Sequence, residues 1–189
     1  MKLASINGVH HAAYRCRDAE QTRWFYEDVL GLELEAAFVF DKVSGTEMER
    51  EYMHLFFNLG DGSYIAFFDE PDTATAVQFE QKDSFDQHMA FEIDSLDDLQ
   101  RWKQRIKEAR IKCAGPINHE FVHSIYFYDP NGIQMEITCR DPDYAAIMTE
   151  KKSKVKQQMQ EWTQRTRAQK EQLFGVEALD SREINKFRI

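Results

Sequence analysis

Three things are scarce in this chain, and each scarcity closes off a class of protein. Cysteine occurs three times, at Cys16, Cys113 and Cys139, with no C-x-x-C pair. An odd, scattered set argues against a disulfide framework and suits a reducing cytoplasm, with free thiols packed as small hydrophobes. No apolar run reaches the roughly 18 residues needed to cross a bilayer. The opening residues 1–7 carry no apolar segment of the kind found in secretory leaders. Positive charge is also in deficit: 24 Lys and Arg face 33 Asp and Glu, a formal net charge of −9. Nucleic acid calls for a basic stripe, so it is not an expected partner, and neither is a membrane. What is present is 189 residues, 42% hydrophobic, with 14 phenylalanines. That is enough for one sizeable domain or two small modules sharing a core.

A repeat organises the chain. His11-Ala12-Ala13-Tyr14 and His88-Met89-Ala90-Phe91 both read H-x-A-aromatic, and each opens a strand that leads into a helix. Each module closes on a second matched element, Gly60 to Phe67 in the first and Asp129 to Ile137 in the second. Four residues beyond the aligned glycines, Gly62 and Gly132, one copy has Ala66 and the other Glu136. The repeat length is about 70 to 80 residues, with loops of variable length. A lone histidine is ordinarily a core or surface residue, and a lone strand carboxylate a rim group. Duplication at matched positions instead points to His11, His88 and Glu136 as ligands of one metal. Two imidazoles and a carboxylate on one face leave three positions open, the arrangement of non-haem Fe(II) oxygenases.

Periodicity supplies the elements. Strands are expected over 7–16, 33–40, 51–58 and 63–69, with a helix over 19–30 capped by Asp18 and stopped at Gly31. The second module repeats this with a strand over 87–93 and a helix over 96–110 capped by Ser95. Strands over 112–117, 123–129 and 133–139 follow. Trp24, Phe25, Val29 and Leu30 form the buried stripe of the first helix, and Trp102 belongs to the core side of the second. Alternation then sorts the faces. Met89, Phe91 and Ile93 face the helix, as do Ile133, Met135 and Ile137. His88, Ala90 and Glu92 take the other face, with Gln134, Glu136 and Thr138. His11, Ala13 and Arg15 share a face, and His10 points to the helix side. Two such sheets curling together make a cup lined by the three ligands. The class is α+β: paired β-α-β-β-β modules forming an open cup-shaped sheet, plus a long C-terminal helix. Residues 1–140 form the cup domain, with module one over about 6–70 and module two over about 86–140. Residues 141–189 are a helical extension whose sparse stripe includes Met148, Val155 and Trp162 at heptad spacing. It packs on its own domain or across a dimer, or else acts as a lid.

The elements Phe25-Tyr26-Glu27-Asp28-Val29-Leu30-Gly31-Leu32 and Asp129-Pro130-Asn131-Gly132 with Glu136, together with the two histidine strands, resemble the vicinal oxygen chelate superfamily over about residues 6–140. That superfamily includes glyoxalase I, bleomycin resistance proteins, fosfomycin-modifying enzymes and extradiol dioxygenases. The resemblance implies paired modules around a divalent metal, and by position it assigns His11, Ala66, His88 and Glu136 to the ligand places. Ala66 cannot bind a metal. The chain therefore departs from the four-ligand glyoxalase I pattern and is closer to the ring-cleaving and fosfomycin-modifying members. The extradiol pattern also carries a tyrosine ten residues before the ligand glutamate, which falls on Tyr126. His54 aligns with Ser124 between modules, and His119 and His123 stand near the place of an acid/base histidine.

The expectation is a cytoplasmic, metal-dependent enzyme of the extradiol dioxygenase type, an oxidoreductase working as a homodimer. Its substrate is a small molecule that chelates the metal through neighbouring oxygens. Fe(II) is the preferred ion, with Mn(II), Zn(II) or Ni(II) as alternatives. Tyr126, His54, His119 and His123 are the candidate catalytic groups. The alternatives are Lewis-acid chemistry of the glyoxalase, epimerase or fosfomycin-modifying kind, and a non-catalytic small-molecule binder like the bleomycin resistance proteins.

Overall fold

A computed structural model describes residues 3–182. The chain divides into two compact units after Asp141. The first contains two four-stranded sheets of identical topology. Strand β1 (His11–Cys16) leads through helix α1 (Ala19–Arg23) to β2 (Leu34–Lys42), β3 (Glu49–Asn58) and β4 (Tyr64–Asp69), laid side by side as β1-β4-β3-β2. Strand β5 (His88–Ile93) leads through α2 (Leu96–Glu108) to β6 (Ala114–Asn118), β7 (Val122–Tyr128) and β8 (Gln134–Arg140), laid as β5-β8-β7-β6. In both sheets the first and last strands are parallel and the other pairings antiparallel. The register repeats as well. Ala13 pairs with Ala66 and Phe56 with Ala66 in one sheet, and Ala90 with Glu136 and Tyr126 with Glu136 in the other.

Local chemistry explains the element ends. Asp18 caps α1 by accepting from the Gln21 amide at 2.7 Å, and Ser95 caps α2 by accepting from the Asp98 amide at 3.1 Å. Gly31 leaves the helix at φ 77°, a left-handed conformation that costs glycine little. The first helix differs from expectation in its second half. Trp24–Val29 form a π turn, with the Leu30 amide donating to the Phe25 carbonyl at 3.0 Å. The wider turn swings Trp24 outward to 41% exposure and brings Tyr26 inward to 0%. Trp24 is therefore not a core residue, whereas Phe25, Val29 and Leu30 are buried as expected.

Aromatic packing joins the modules. The Tyr26 ring lies 4.8 Å from Phe67 and 5.3 Å from Phe57, and Phe25 lies 6.2 Å from Phe127 of the other sheet. Burying each such side chain contributes on the order of 2–3 kcal/mol. The Tyr26 hydroxyl donates to Asp129 Oδ2 at 3.0 Å, and the Arg17 amide donates to Asn131 Oδ1 at 2.8 Å. Asp129 also accepts from the Asn131 and Ile133 amides, which fixes the turn that launches β8. Burial raises its pKa, and these hydrogen bonds act in the opposite direction. The buried Cys16 thiol is pushed up to about 12 by burial.

The second unit contains α3 (Tyr144–Phe174) and α4 (Val176–Asp180), with Gly175 between them at φ 81°. Arg167 ties them together through Asp180 at 2.8 Å while also holding Glu171 at 2.6 Å. The Arg165 guanidinium lies 4.7 Å above the Trp162 ring. No helix of the described residues is long and apolar enough to cross a membrane.

Candidate metal centre

Helices cover the apolar face of each sheet, so the polar faces are left open. His11 and Ala13 are exposed on one, His88 and Ala90 on the other. Glu136 is the exception, buried at 8% exposure between its neighbours on β5 and β7.

Module two brings His88 and Glu136 together. His88 Nδ1 lies 2.7 Å from the Ser84 carbonyl oxygen, an acceptor, so the proton sits on Nδ1. That fixes the tautomer and leaves the Nε2 lone pair free, the usual way a protein presents a ligand imidazole. Nε2 lies 3.8 Å from Glu136 Oε2, close enough for one cation to bridge them. Beside Glu136 on β7, the Tyr126 hydroxyl lies 2.8 Å from His119 Nε2. Burial raises the Tyr126 pKa, and the Glu136 charge adds to this. Ser124, on the same face, donates to Thr138. His123 lies one residue out of phase and pairs through Nε2 with Asp141 at 3.0 Å, so it is not brought to Tyr126.

Module one carries a different set. His10 and His11 approach Nδ1 to Nδ1 at 2.8 Å, so one ring donates to the other. When His11 is the donor, its Nε2 is free in the same sense as that of His88. His10 is exposed and packs against His11 and Tyr64 rather than on the helix side. The strand begins only at His11, so alternation does not extend back to it. His54 stacks on Phe68 at 3.8 Å and lies 6.2 Å from the His11 ring. Burial lowers its pKa, with His11 contributing, and its Nε2 is buried without a hydrogen-bond partner. Ala66, at the module-one position matching Glu136, is fully buried.

The donor set of His88 Nε2 and Glu136 fits a divalent cation in chemistry and spacing. Among the described residues, however, no three His, Cys, Asp or Glu side chains come close enough to hold one. His11 stands apart from the His88–Glu136 pair within a single chain.

Sequence reasoning missed Ser84, Arg50, Thr73 and Glu70, and it placed Arg15 on the open face without its partner. Ser84 orients His88, and Arg15, Arg50 and Thr73 converge on the buried Glu70. Arg50 shares strand parity with Tyr52 and His54, a signal that could have placed it on the open face. Glu70 carries no such mark.

Comparison with known proteins agrees with this architecture. The family model Glyoxalase/Bleomycin resistance protein/Dioxygenase superfamily matches residues 8–137. A putative ring-cleaving dioxygenase of Bacillus subtilis is 26% identical over 136 residues, which is 70% of this chain. The chain spans 40% of the length of that curated relative. The crystal structure of a glyoxalase/dioxygenase from Nostoc punctiforme is 29% identical at TM-score 0.54, covering 74% of this chain and 99% of that one. The fosfomycin resistance protein FosX of Listeria monocytogenes, solved with Mn(II), is 20% identical at TM-score 0.54, covering 75% and 99%. With the duplicated topology and the matched strands in view, the chain belongs to the Glyoxalase/Bleomycin resistance protein/Dioxygenase superfamily.

Proposed function

We propose that this protein is a metal-dependent dioxygenase of the ring-cleaving kind, acting on a small substrate with two neighbouring oxygens. The observation that carries this reading is the His88–Glu136 pair, with Nε2 freed by the Ser84 contact and held 3.8 Å from the carboxylate. His11 is the third ligand. Both polar faces are open, and one chain does not bring the three groups together, so a homodimer supplies His11 from the first module of one copy and His88 with Glu136 from the second module of the other.

His11, His88 and Glu136 would hold a divalent metal, which would supply Lewis-acid activation of a substrate hydroxyl. The chain's own groups do the rest. Glu136 is packed between strands, so its carboxylate is positioned in advance. The Tyr126 hydroxyl and His119 Nε2 form a donor–acceptor pair beside it, able to hold a proton and pass it to a substrate oxygen. His54 lies near His11, with its Nε2 buried and unpaired. The curated ring-cleaving relative supports the oxygen-dependent reading. FosX, with its Mn(II), keeps Lewis-acid chemistry as the alternative for the same ligands.

The test is elemental analysis of anaerobically purified protein, coupled to oxygen uptake with a panel of catechols. Iron at about one per chain with oxygen uptake supports the proposal. Tyr126→Phe then lowers turnover by about 100-fold or more, the scale of a lost general acid or base. Manganese, zinc or nickel without oxygen uptake transfers the site to Lewis-acid chemistry. No metal, even after reconstitution, refutes enzyme function and leaves a small-molecule binding protein.

A further inference from the structure

The open face of module one contains a cavity of about 470 Å³ that the metal ligands do not explain. Its floor and walls are aromatic: Phe40, Tyr52, His54 and Phe68. The Phe40 and Tyr52 rings lie 5.2 Å apart, and Tyr52 and Phe68 lie 5.7 Å apart. At one end, Arg15 and Arg50 both reach the same oxygen, Glu70 Oε2, at 2.6 and 3.0 Å. Both also contact Thr73 Oγ1 at 2.9 Å.

The charges at that end do not balance. Two guanidinium groups, those of Arg15 and Arg50, share one oxygen of the single carboxylate, Glu70. The charged groups lining the cavity therefore sum to one positive charge, in a protein whose net charge is −9. Hydrogen bonding is also unfinished. Arg50 Nε and His54 Nε2 are both buried with no partner, and both residues line this cavity. Both atoms are closed to solvent, so they leave the wall's own hydrogen bonding incomplete without facing the cavity. A guanidinium fork matches a carboxylate, and aromatic walls match a flat ring.

We propose that this cavity is the substrate's seat and that it takes a small aromatic acid: the ring lies among Phe40, Tyr52 and Phe68, and its carboxylate is held by Arg15 and Arg50. His54, 6.2 Å from the His11 ring, forms the border between this seat and the metal-binding edge. The inference deepens the functional reading above by naming the substrate class of that site. The binding it predicts does not need the metal.

The experiment is titration calorimetry in excess chelator, with 3,4-dihydroxybenzoate and catechol as probes. Wild-type protein is expected to bind the acid at least about tenfold more tightly than catechol, the worth of one charge-assisted hydrogen bond. Arg50→Gln and Arg15→Gln should each weaken acid binding by about tenfold while leaving catechol unchanged. Glu70→Gln removes the competing carboxylate and should tighten acid binding. Circular dichroism confirms folding, and because Glu70→Gln acts in the opposite sense to the arginine variants, a loss of structure cannot imitate the expected pattern. Equal affinity for acid and catechol, unchanged acid binding in Arg50→Gln, or weaker binding in folded Glu70→Gln would overturn the proposal. Acid binding in chelator by a protein that takes up no metal on reconstitution and consumes no oxygen leaves this seat standing while refuting the dioxygenase reading.

Discussion

Gly62 and Gly132 occupy the same place in the two modules, and their surroundings make alanine substitution unequal. Each closes a tight turn before the last strand of its sheet. The Gly62 amide donates to the Leu59 carbonyl at 3.0 Å, and the Gly132 amide to the Asp129 carbonyl at 3.2 Å. Their φ angles are 82° and 77°, so both alanines are strained by about 1–2 kcal/mol. Beyond the backbone they part. A Cβ on Gly62 meets nothing within 4 Å, whereas one on Gly132 would stand 2.2 Å from the Glu80 carbonyl oxygen and 2.7 Å from that of Phe79. Those neighbours are backbone, and the segment is tied to the turn by the Lys82 amide donating to the Gly132 carbonyl at 2.8 Å. Relieving the clash means moving chain, which adds about 1–3 kcal/mol. Gly62→Ala is therefore expected to lose about 1–2 kcal/mol and Gly132→Ala about 2–5 kcal/mol. Urea unfolding followed by circular dichroism measures both, with the midpoints compared at unchanged slope. The difference between the two variants isolates the steric contribution, since the conformational cost is common to both. Equal losses would refute the packing of the 79–82 segment against this turn. The consequence reaches the site, because β8 leaves that turn carrying Glu136.

Two further outcomes follow from buried charge and polarity. Arg50 holds the Glu70 carboxyl down to about 2, assisted by Thr73 and Arg15 against the opposing effect of burial. A depressed carboxyl contributes stability above its ordinary pKa and loses it as pH falls toward the folded value. Acid titration of unfolding should therefore show Glu70→Gln differing from wild type near neutrality, with the difference shrinking between about pH 5 and pH 2. Its size is about 2 kcal/mol after screening at the partly exposed arginines, and a constant gap across that range contradicts the assignment. Tyr26→Phe removes the hydroxyl that donates to Asp129 in the core and should cost about 1–3 kcal/mol in thermal or urea unfolding. No loss would mean the bond does not couple the modules.

Much of the fold was readable because it is written twice. The matched histidine strands, the aligned glycines and the period-two alternation fixed which side chains share a face, and the structure pairs Ala90 and Tyr126 with Glu136 accordingly. Both helix caps were local signals of a side-chain oxygen three residues before a free amide, and Asp18 and Ser95 act as such. Three things were not local. The π turn at Trp24–Val29 exchanges Trp24 for Tyr26 in the core, a choice set by the packing of Tyr26 on Phe57 and Phe67 from distant strands. The Arg15–Glu70 bond joins residues 55 apart in sequence, and no periodicity names such a partner. Placing His119 against Tyr126 and His123 against Asp141 required the β6–β7 turn to be seen, since the two histidines are equally polar in the sequence.

In the proposed homodimer one metal is held by His11 of one copy and by His88 with Glu136 of another. Separately tagged His11→Ala and His88→Ala chains can be co-expressed and the mixed dimer isolated through both tags, then analysed for metal beside each single-variant dimer. In the mixed dimer one site keeps all three ligands and the other loses both histidines. No tightly held metal is expected in either single-variant dimer, and about one ion per mixed dimer. A mixed dimer as empty as its parents, or single variants that retain the ion, would contradict that arrangement.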